Sequence, residues 1–296
     1  MPTDAVLHEL LVRHLETWLP GALHRARRAT LALAYAGGDA GCAEAALRVV
    51  AGHADRLRGQ QLTVLVLADG TGELPARLGA VEAQLPAGVA VHLVPGGPAR
   101  LPVAVKAAGA AGAPLLSVVD DDTADPAVLT AAAAGKPADV LLATAVGTPA
   151  RAALADAGFP LTSEVELVTA DGDPARLLAF ATGSDKSLEA FKDALWAGDG
   201  ASGVRYRDPA GGLLDVVEVP EAGPLREELL AELRRSGPRT VTELRRHALT
   251  ATAYRSSDAA RALTGLLDAG EATREPEHGR LGGDVVIAAH GAATAP

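Results

Sequence analysis

"EVELVTADGDPARLLAFAT", residues 164–182, contains two strand-like runs with very little chain between them. The first run covers residues 164–169, the second covers 176–182, and the turn sequence "ADGDP" lies between them at 170–174. A crossover between parallel strands needs about a dozen residues or more. The two runs are therefore predicted to pair as an antiparallel hairpin, with glycine and proline in its turn.

An alternation of strand-like and helical segments precedes this hairpin. An amphipathic helix is predicted over residues 5–19, and Ala/Leu-rich helical stretches such as 73–85 and 127–134 separate the strand-like runs. These runs cover residues 30–36, 62–68, 89–94, 114–119 and 139–144. Apolar strands that alternate with helices predict an α/β fold with a parallel sheet covered on both faces. Five parallel strands plus an antiparallel hairpin are the pattern of the Rossmann-like class I methyltransferase fold.

The last part of the chain has a different pattern. Residues 187–209 are predicted to form a helix and an irregular loop, and three amphipathic helices follow. The second of these helices begins with a capping box, because Glu243 lies three residues after Thr240. Two strand-like runs around a glycine-rich turn complete the segment. Three helices and a hairpin predict a winged helix, and we place the domain boundary between residues 1–219 and 220–296.

Composition limits the class of protein. The net charge is −10, whereas residues 222–296 hold ten basic and ten acidic side chains and are neutral, so the first part of the chain carries the negative charge. An acidic protein repels phosphate backbones, which argues against strong nonspecific nucleic-acid binding. The single cysteine, Cys42, excludes a disulfide framework and is expected in the core, as is Trp196. With no apolar run long enough to span a membrane and no signal peptide, we expect a cytoplasmic protein.

The stretch "LALAYAGGDAG", residues 31–41, is a candidate cofactor loop because a strand-like run leads through glycines into a helix. Glycines let the backbone approach a ligand, and a helix N-terminus favours anions. Gly37, Gly38 and Gly41 supply the room, and Asp69 follows the second strand, where a carboxylate can hold ribose hydroxyls. Asp39 is either a ligand-binding acid or a simple turn or N-cap residue.

Several segments resemble the three-Cys-motif partner proteins of bacteria. They are "TWLP" (17–20), "YAGGDAG" (35–41), "LLAFATGSDKSLEAFKDALW" (177–196), "GVRYRDP" (203–209) and the C-terminal segments "GPRTVTELRRHAL" (237–249), "YRSSDAARALTGLLDAG" (254–270) and "TREPEHGRLGGDVVI" (273–287). The resemblance implies a methyltransferase-like domain that binds S-adenosylmethionine, a winged-helix tail and association with a separate cysteine-motif protein. It also implies that Asp120, after the fourth strand, belongs to the cofactor site.

The cofactor loop departs from the family pattern. Leu33 stands where the family has an acidic residue, Tyr35 replaces a phenylalanine, Gly38 replaces a proline, and Asp39 replaces the last glycine. The loop is therefore interpreted as degenerate. Whether it still binds S-adenosylmethionine, or is kept only as a scaffold, stays open at this point.

Two other functions compete with this interpretation. Asp120 and Asp122 have the Asp-x-Asp spacing with which glycosyltransferases hold a divalent cation against a nucleotide-sugar diphosphate. A winged helix that binds DNA as a regulator is the other alternative. Its phosphate contacts would be Arg245, Arg246, Arg255 and Arg261. Glu243, Asp258 and Asp268 lie at helical spacings from these arginines, so we predict that they cancel much of the charge and that DNA binding is weak.

Overall fold

The computed structural model describes residues 2–35, 41–68, 72–169, 176–198 and 203–291. Its helices are α1 (Pro2–Arg25), α2 (Gly41–Gly52), α3 (Leu74–Glu82), α4 (Leu101–Ala107), α5 (Pro126–Ala132), α6 (Ala150–Asp156), α7 (Asp185–Trp196), α8 (Gly223–Ser236), α9 (Val241–Ala251) and α10 (Ser256–Asp268). Its strands are β1 (Arg28–Tyr35), β2 (Gln61–Ala68), β3 (Val89–Pro95), β4 (Leu115–Asp120), β5 (Ala138–Ala145), β6 (Leu161–Thr169), β7 (Arg176–Thr182), β8 (Val204–Arg207), β9 (Leu213–Asp215), β10 (Arg239–Thr240), β11 (Ala272–Glu275) and β12 (Val286–Ala289).

The fold is mixed α/β around a large, mostly parallel sheet in the order β3-β2-β1-β4-β5-β7-β6-β8-β9. The first five strands in chain order are parallel to one another, and β7 runs antiparallel to both β5 and β6. The predicted parallel strands and the predicted hairpin are therefore confirmed. We call the edge where the five parallel strands begin the amino edge, and the edge where they end the carboxyl edge.

Helices cover both faces of this sheet, as the alternation predicted. In β1, Leu31 and Leu33 face the core beneath α1, α2, α3 and α7. Ala32 and Ala34 face the opposite core beneath α4, α5 and α6. Because successive side chains of a strand point to opposite faces, a continuous apolar run is what a strand buried on both faces requires. Cys42 and Trp196 are both buried, as expected.

The structure corrects the prediction of an irregular loop after α7. Residues 204–207 and 213–215 form β8 and β9, which extend the sheet beyond β6. Val204 and Tyr206 are buried and alternate with Arg205 and Arg207, which is the two-residue period of a strand. Four residues are too few for that period to stand out, and only pairing with β6 stabilises an isolated strand of this length.

The tail, residues 220–291, has its own apolar core. α8, α9 and α10 pack around Leu229, Leu244 and Leu263, together with Ile287 of an antiparallel sheet in the order β10-β12-β11. The predicted capping box of α9 is confirmed, since the Thr240 hydroxyl accepts from the Glu243 N–H and the Glu243 carboxylate accepts from the Thr240 N–H. Within the described part of the chain, no helix is both long and apolar enough to cross a membrane.

Candidate functional site

The carboxyl edge contains the point where the strand order reverses. β1 lies between β2 and β4, so the connection from β1 to β2 and the connection from β4 to β5 leave this position in opposite directions along the sheet. Tyr35, the last residue of β1, lies opposite Asp120, the last residue of β4. In open α/β sheets, ligands bind outside the carboxyl ends of the strands at such a point.

The sequence-predicted cofactor residues divide into two groups here. Gly37, Gly38, Asp39 and Asp69 lie outside the described residues. Gly41 is the first residue of α2, and Asp120 is partly exposed at the end of β4. Leu33, which stands where the family has an acid, is completely buried in the core under α1 and α2.

Asp120 forms an ion pair that the sequence analysis missed. Its carboxylate accepts from the Arg176 guanidinium, and a second Arg176 nitrogen lies 3.6 Å from the Asp122 carboxylate. Burial raises the pKa of Asp120, and the positive charge of Arg176 opposes that rise. The predicted hairpin could have indicated this ion pair, because it places Arg176, the first residue of β7, at the carboxyl edge. Arg176 therefore holds the Asp120 carboxylate beside the switch point.

The same ion pair bears on the Asp-x-Asp alternative. Arg176 contacts both Asp120 and Asp122, so a cation at these carboxylates would have to compete with a guanidinium. Asp121 accepts from the Thr123 hydroxyl at 2.9 Å, and Asp125 caps α5 by accepting from the Ala127 N–H at 2.7 Å. Among the described residues, no group of three or more His, Cys, Asp or Glu side chains could hold a metal ion.

The tail arginines predicted to contact DNA are mostly engaged by carboxylates. Arg255 and Arg261 both donate to Asp258, at 3.0 and 2.7 Å, and the Asp258 side chain is 1% exposed. This pairing was predicted. Arg246 donates two hydrogen bonds to Asp185 of α7, at 2.9 and 2.5 Å. Glu243 pairs with Arg239 at 3.5 Å rather than with Arg245 or Arg246. Of the four arginines predicted to contact DNA, Arg245 is the one for which the described residues show no ion pair.

Buried polar contacts join the tail to the sheet. The Trp196 indole donates to the Ala253 carbonyl at 2.8 Å, and the Ala253 N–H donates to Asp208 at 2.7 Å. The fully buried Lys192 ammonium donates to the Thr252 carbonyl. Burial lowers the pKa of Lys192 to about 7, while the negative charge of Asp208 opposes the shift. The end of α9 is therefore tied to α7 and to the residue after β8.

A cavity of about 680 Å³ lies among α6, β6 and the end of β8. Four of its five charged lining residues form two ion pairs: Arg151 donates to Glu164 at 3.0 Å, and Arg207 donates to Glu166 at 2.7 Å. The fifth, Asp208, accepts from the Ala253 N–H. The Arg207 guanidinium, which faces this cavity, is occupied by Glu166. Both cations that line this cavity are therefore already paired with carboxylates.

Comparisons with known proteins leave the family open. No protein-family model matches the chain, and no curated protein matches it. Among solved structures, it is similar to Sp1610 of Streptococcus pneumoniae, which is proposed to be a tRNA (m1A22) methyltransferase. The identity is 15%, the TM-score is 0.32, and the match covers 81% of this chain and 92% of Sp1610. This likeness is too weak to carry a functional assignment.

Proposed function

We propose that this protein is a methyltransferase-like protein that binds S-adenosylmethionine at the carboxyl edge of its sheet. The observation that carries the proposal is the strand order β3-β2-β1-β4-β5-β7-β6, with β7 as the reversed strand. This is the order expected when five parallel strands are closed by an antiparallel hairpin, and its switch point lies between β1 and β4.

The described residues at the switch point fit a nucleoside cofactor in two respects. Asp120 presents a partly exposed carboxylate, which can accept hydrogen bonds from hydroxyl or amino groups. Gly41 begins α2, and a glycine places no side chain between the helix start and a ligand. When bound, the cofactor would supply an electrophilic methyl group. In this proposal Arg176 is a positioning residue, because its guanidinium orients the Asp120 carboxylate.

We propose further that the tail is a winged helix that serves as a docking surface for a separate protein, as the resemblance to three-Cys-motif partners implies. The order α8, β10, α9, α10, β11, β12 supports the winged-helix part of this proposal. The engagement of Arg246, Arg255 and Arg261 by carboxylates favours a protein partner over the phosphates of DNA.

Calorimetric titration of S-adenosylmethionine and S-adenosylhomocysteine into the full chain tests the cofactor proposal. Asp120→Asn should weaken binding about tenfold or more, since a hydrogen bond to a charged group contributes about 1.5–3 kcal/mol. Asp122→Asn is the matched control, because Asp122 lies two residues away and its side chain is 76% exposed. Absence of binding in the wild type would overturn the proposal.

The same two variants test the glycosyltransferase alternative. If manganese with a UDP- or GDP-sugar raises the melting temperature and Asp122→Asn abolishes that rise, the Asp-x-Asp function replaces the one proposed here. Melting curves of both variants without ligand serve as the folding control.

A further inference from the structure

A second cavity, of about 410 Å³, opens at the amino edge between α1 and α7. We call it the amino-edge cavity. Its walls include the end of α1, the turn before β2, Pro137 just before β5 and the first turn of α7. This edge is opposite the carboxyl edge where the cofactor is proposed to bind. The volume lies within the ordinary range of small-molecule sites, about 300–1,000 Å³.

The charged lining residues of the amino-edge cavity are all basic. They are Arg25, Arg56 and Lys186, which come from three separate parts of the chain, and two histidines, His14 and His24, also line the cavity. Across the described residues, His24, Arg25, Arg56 and Lys186 form no ion pair, although the protein has a net charge of −10. Unpaired cations that converge on one cavity of an acidic protein are a recognisable electrostatic feature of an anion site.

His14 provides an independent observation. It is 2% exposed and lines the cavity, yet both of its ring nitrogens lack a hydrogen-bond partner among the described residues. Burial lowers the pKa of His14 to about 4, so the ring is neutral and retains one N–H donor. A buried polar group without a partner is costly, and a ligand in the cavity could supply that partner.

One buried carboxyl group lies close to this positive charge. Asp139 accepts from the Thr182 hydroxyl, and it contacts the cavity residues Trp18 and Ser187. Burial raises the pKa of Asp139, with the Thr182 hydrogen bond and the Arg25 charge among the effects that oppose the rise. It is 1% exposed and balances the charge of Arg25 in part, whereas Arg56 and Lys186 face a cavity whose lining contains no carboxylate.

We propose that the amino-edge cavity binds a phosphate group carried by a nucleotide or by a nucleic-acid strand. Arg25 and Arg56 supply guanidinium donors, whose geometry suits phosphate oxygens, and Lys186 adds a point charge. The N-terminus of α7, a helix of 12 residues, adds its positive dipole end. Trp18 and Pro137 give the cavity an apolar wall that suits the remainder of a nucleotide.

Titration calorimetry on the full chain tests this proposal with four probes: inorganic phosphate, adenosine 5′-monophosphate, adenosine and a 5′-phosphorylated single-stranded RNA decamer. Adenosine monophosphate should bind about tenfold or more tightly than adenosine, since the phosphate contributes charge-assisted hydrogen bonds. If the decamer binds and the mononucleotide does not, the phosphate comes from a strand. If neither binds at millimolar concentration, the proposal is overturned.

Matched variants locate the binding site. The double variant Arg25→Gln/Arg56→Gln should weaken binding about tenfold or more, whereas Arg27→Gln/Arg58→Gln should not, although both pairs come from the same two segments. An equal loss in both pairs would mean a diffuse charge effect and would overturn the proposal. Binding of S-adenosylhomocysteine at the opposite edge should not change in either pair, so this test is independent of the proposed function.

His14→Leu separates a ligand site from a structural histidine. Because it removes two unpartnered buried nitrogens, the variant should melt at a higher temperature than the wild type while it binds the phosphate probe more weakly. A variant that gains stability and keeps full affinity would show that His14 does not take part in the site. Unchanged probe binding in both His14→Leu and Arg25→Gln/Arg56→Gln would place the phosphate elsewhere.

Discussion

The basic side chains of the tail and those of the amino edge differ in whether the protein supplies their counter-charges. Arg246, Arg255 and Arg261 each donate to a carboxylate within hydrogen-bond distance. Arg25 and Arg56 form no ion pair with the described residues. A paired guanidinium in a tail contributes to stability, whereas an unpaired one beside a cavity remains available to a ligand. Residue type alone therefore does not identify an anion site.

The largest effect is expected at Asp258, on which the paired state of the tail depends. Asp258→Asn should destabilise the protein by about 1.5–3 kcal/mol, because it removes the buried charge to which Arg255 and Arg261 both donate. Chemical denaturation of the full chain measures this. Asp268→Asn, on the same helix and exposed, is the control and should change stability by less than about 0.5 kcal/mol. Equal effects of the two variants would contradict the distinction drawn between buried and exposed carboxylates.

The next effect is a pH dependence from Lys192. Its pKa is about 7 in the folded protein, below the value of about 10.4 for an unfolded lysine. The unfolded state therefore binds more protons between these values, so the free energy of unfolding rises with pH from about 7 to about 10, at up to ~1.4 kcal/mol per unit. Below about pH 7 its contribution is constant.

Urea denaturation at pH 7, 8 and 9 checks this, with Lys192→Met as the comparison. The wild-type protein should gain stability relative to Lys192→Met across this range. Lys186→Met is the matched control, since Lys186 is exposed on the same helix and should leave the wild-type pH profile unchanged. A flat difference between the wild type and Lys192→Met would show that Lys192 is not held in a desolvated site.

A third effect concerns polyanion binding and compares the two basic regions directly. The full chain should bind duplex DNA no more tightly than the nonspecific range of about 10⁻⁴–10⁻⁶ M at physiological salt. Arg25→Gln/Arg56→Gln should lower the magnitude of the salt slope by about two, at about 0.9 per lost phosphate contact. Arg246→Gln/Arg261→Gln in the tail should leave the slope nearly unchanged, because carboxylates already pair both guanidiniums. Fluorescence anisotropy at 50 and 200 mM salt measures these slopes. If the tail variant lowered the slope more than the amino-edge variant did, the tail would be the surface that contacts DNA.

The smallest effect is expected for Arg246 and Asp185, the exposed pair that joins the tail to α7. Their coupling energy should be about 0.2–1 kcal/mol, since both side chains are about half exposed. A double-mutant cycle with Arg246→Ala and Asp185→Ala measures it by chemical denaturation. A coupling of several kcal/mol would mean that this contact, rather than the buried one at Trp196, holds the tail in place.

Much of the sheet was predictable because its signals are local. The run from Leu31 to Ala34 is apolar at every position, as a strand buried on both faces must be. Thr240 and Glu243 form a capping box within one helical turn, so the start of α9 is visible in four residues. The short strand β8 was missed, because Val204 to Arg207 gains its hydrogen bonds from β6, about 35–40 positions earlier.

The candidate site was only partly predictable. Asp120 could be placed at the carboxyl edge from the strand that precedes it, but its partner Arg176 lies 56 positions away. The complete burial of Leu33 could not be predicted either, because it depends on helices α1 and α2, which pack over this residue.

The sequence by itself therefore determined the alternation of the first five strands with helices, the antiparallel hairpin and the helix start at Thr240, because each depends on periodicity or hydrogen bonds over a few neighbouring residues. Only the tertiary structure decided which charges meet. Arg246 finds Asp185 at a separation of 61 positions, while Arg25 and Arg56 converge on one cavity without a carboxylate beside them in its lining. Coulomb energies depend on distance in space and on burial, and neither quantity is encoded in any short stretch of the chain.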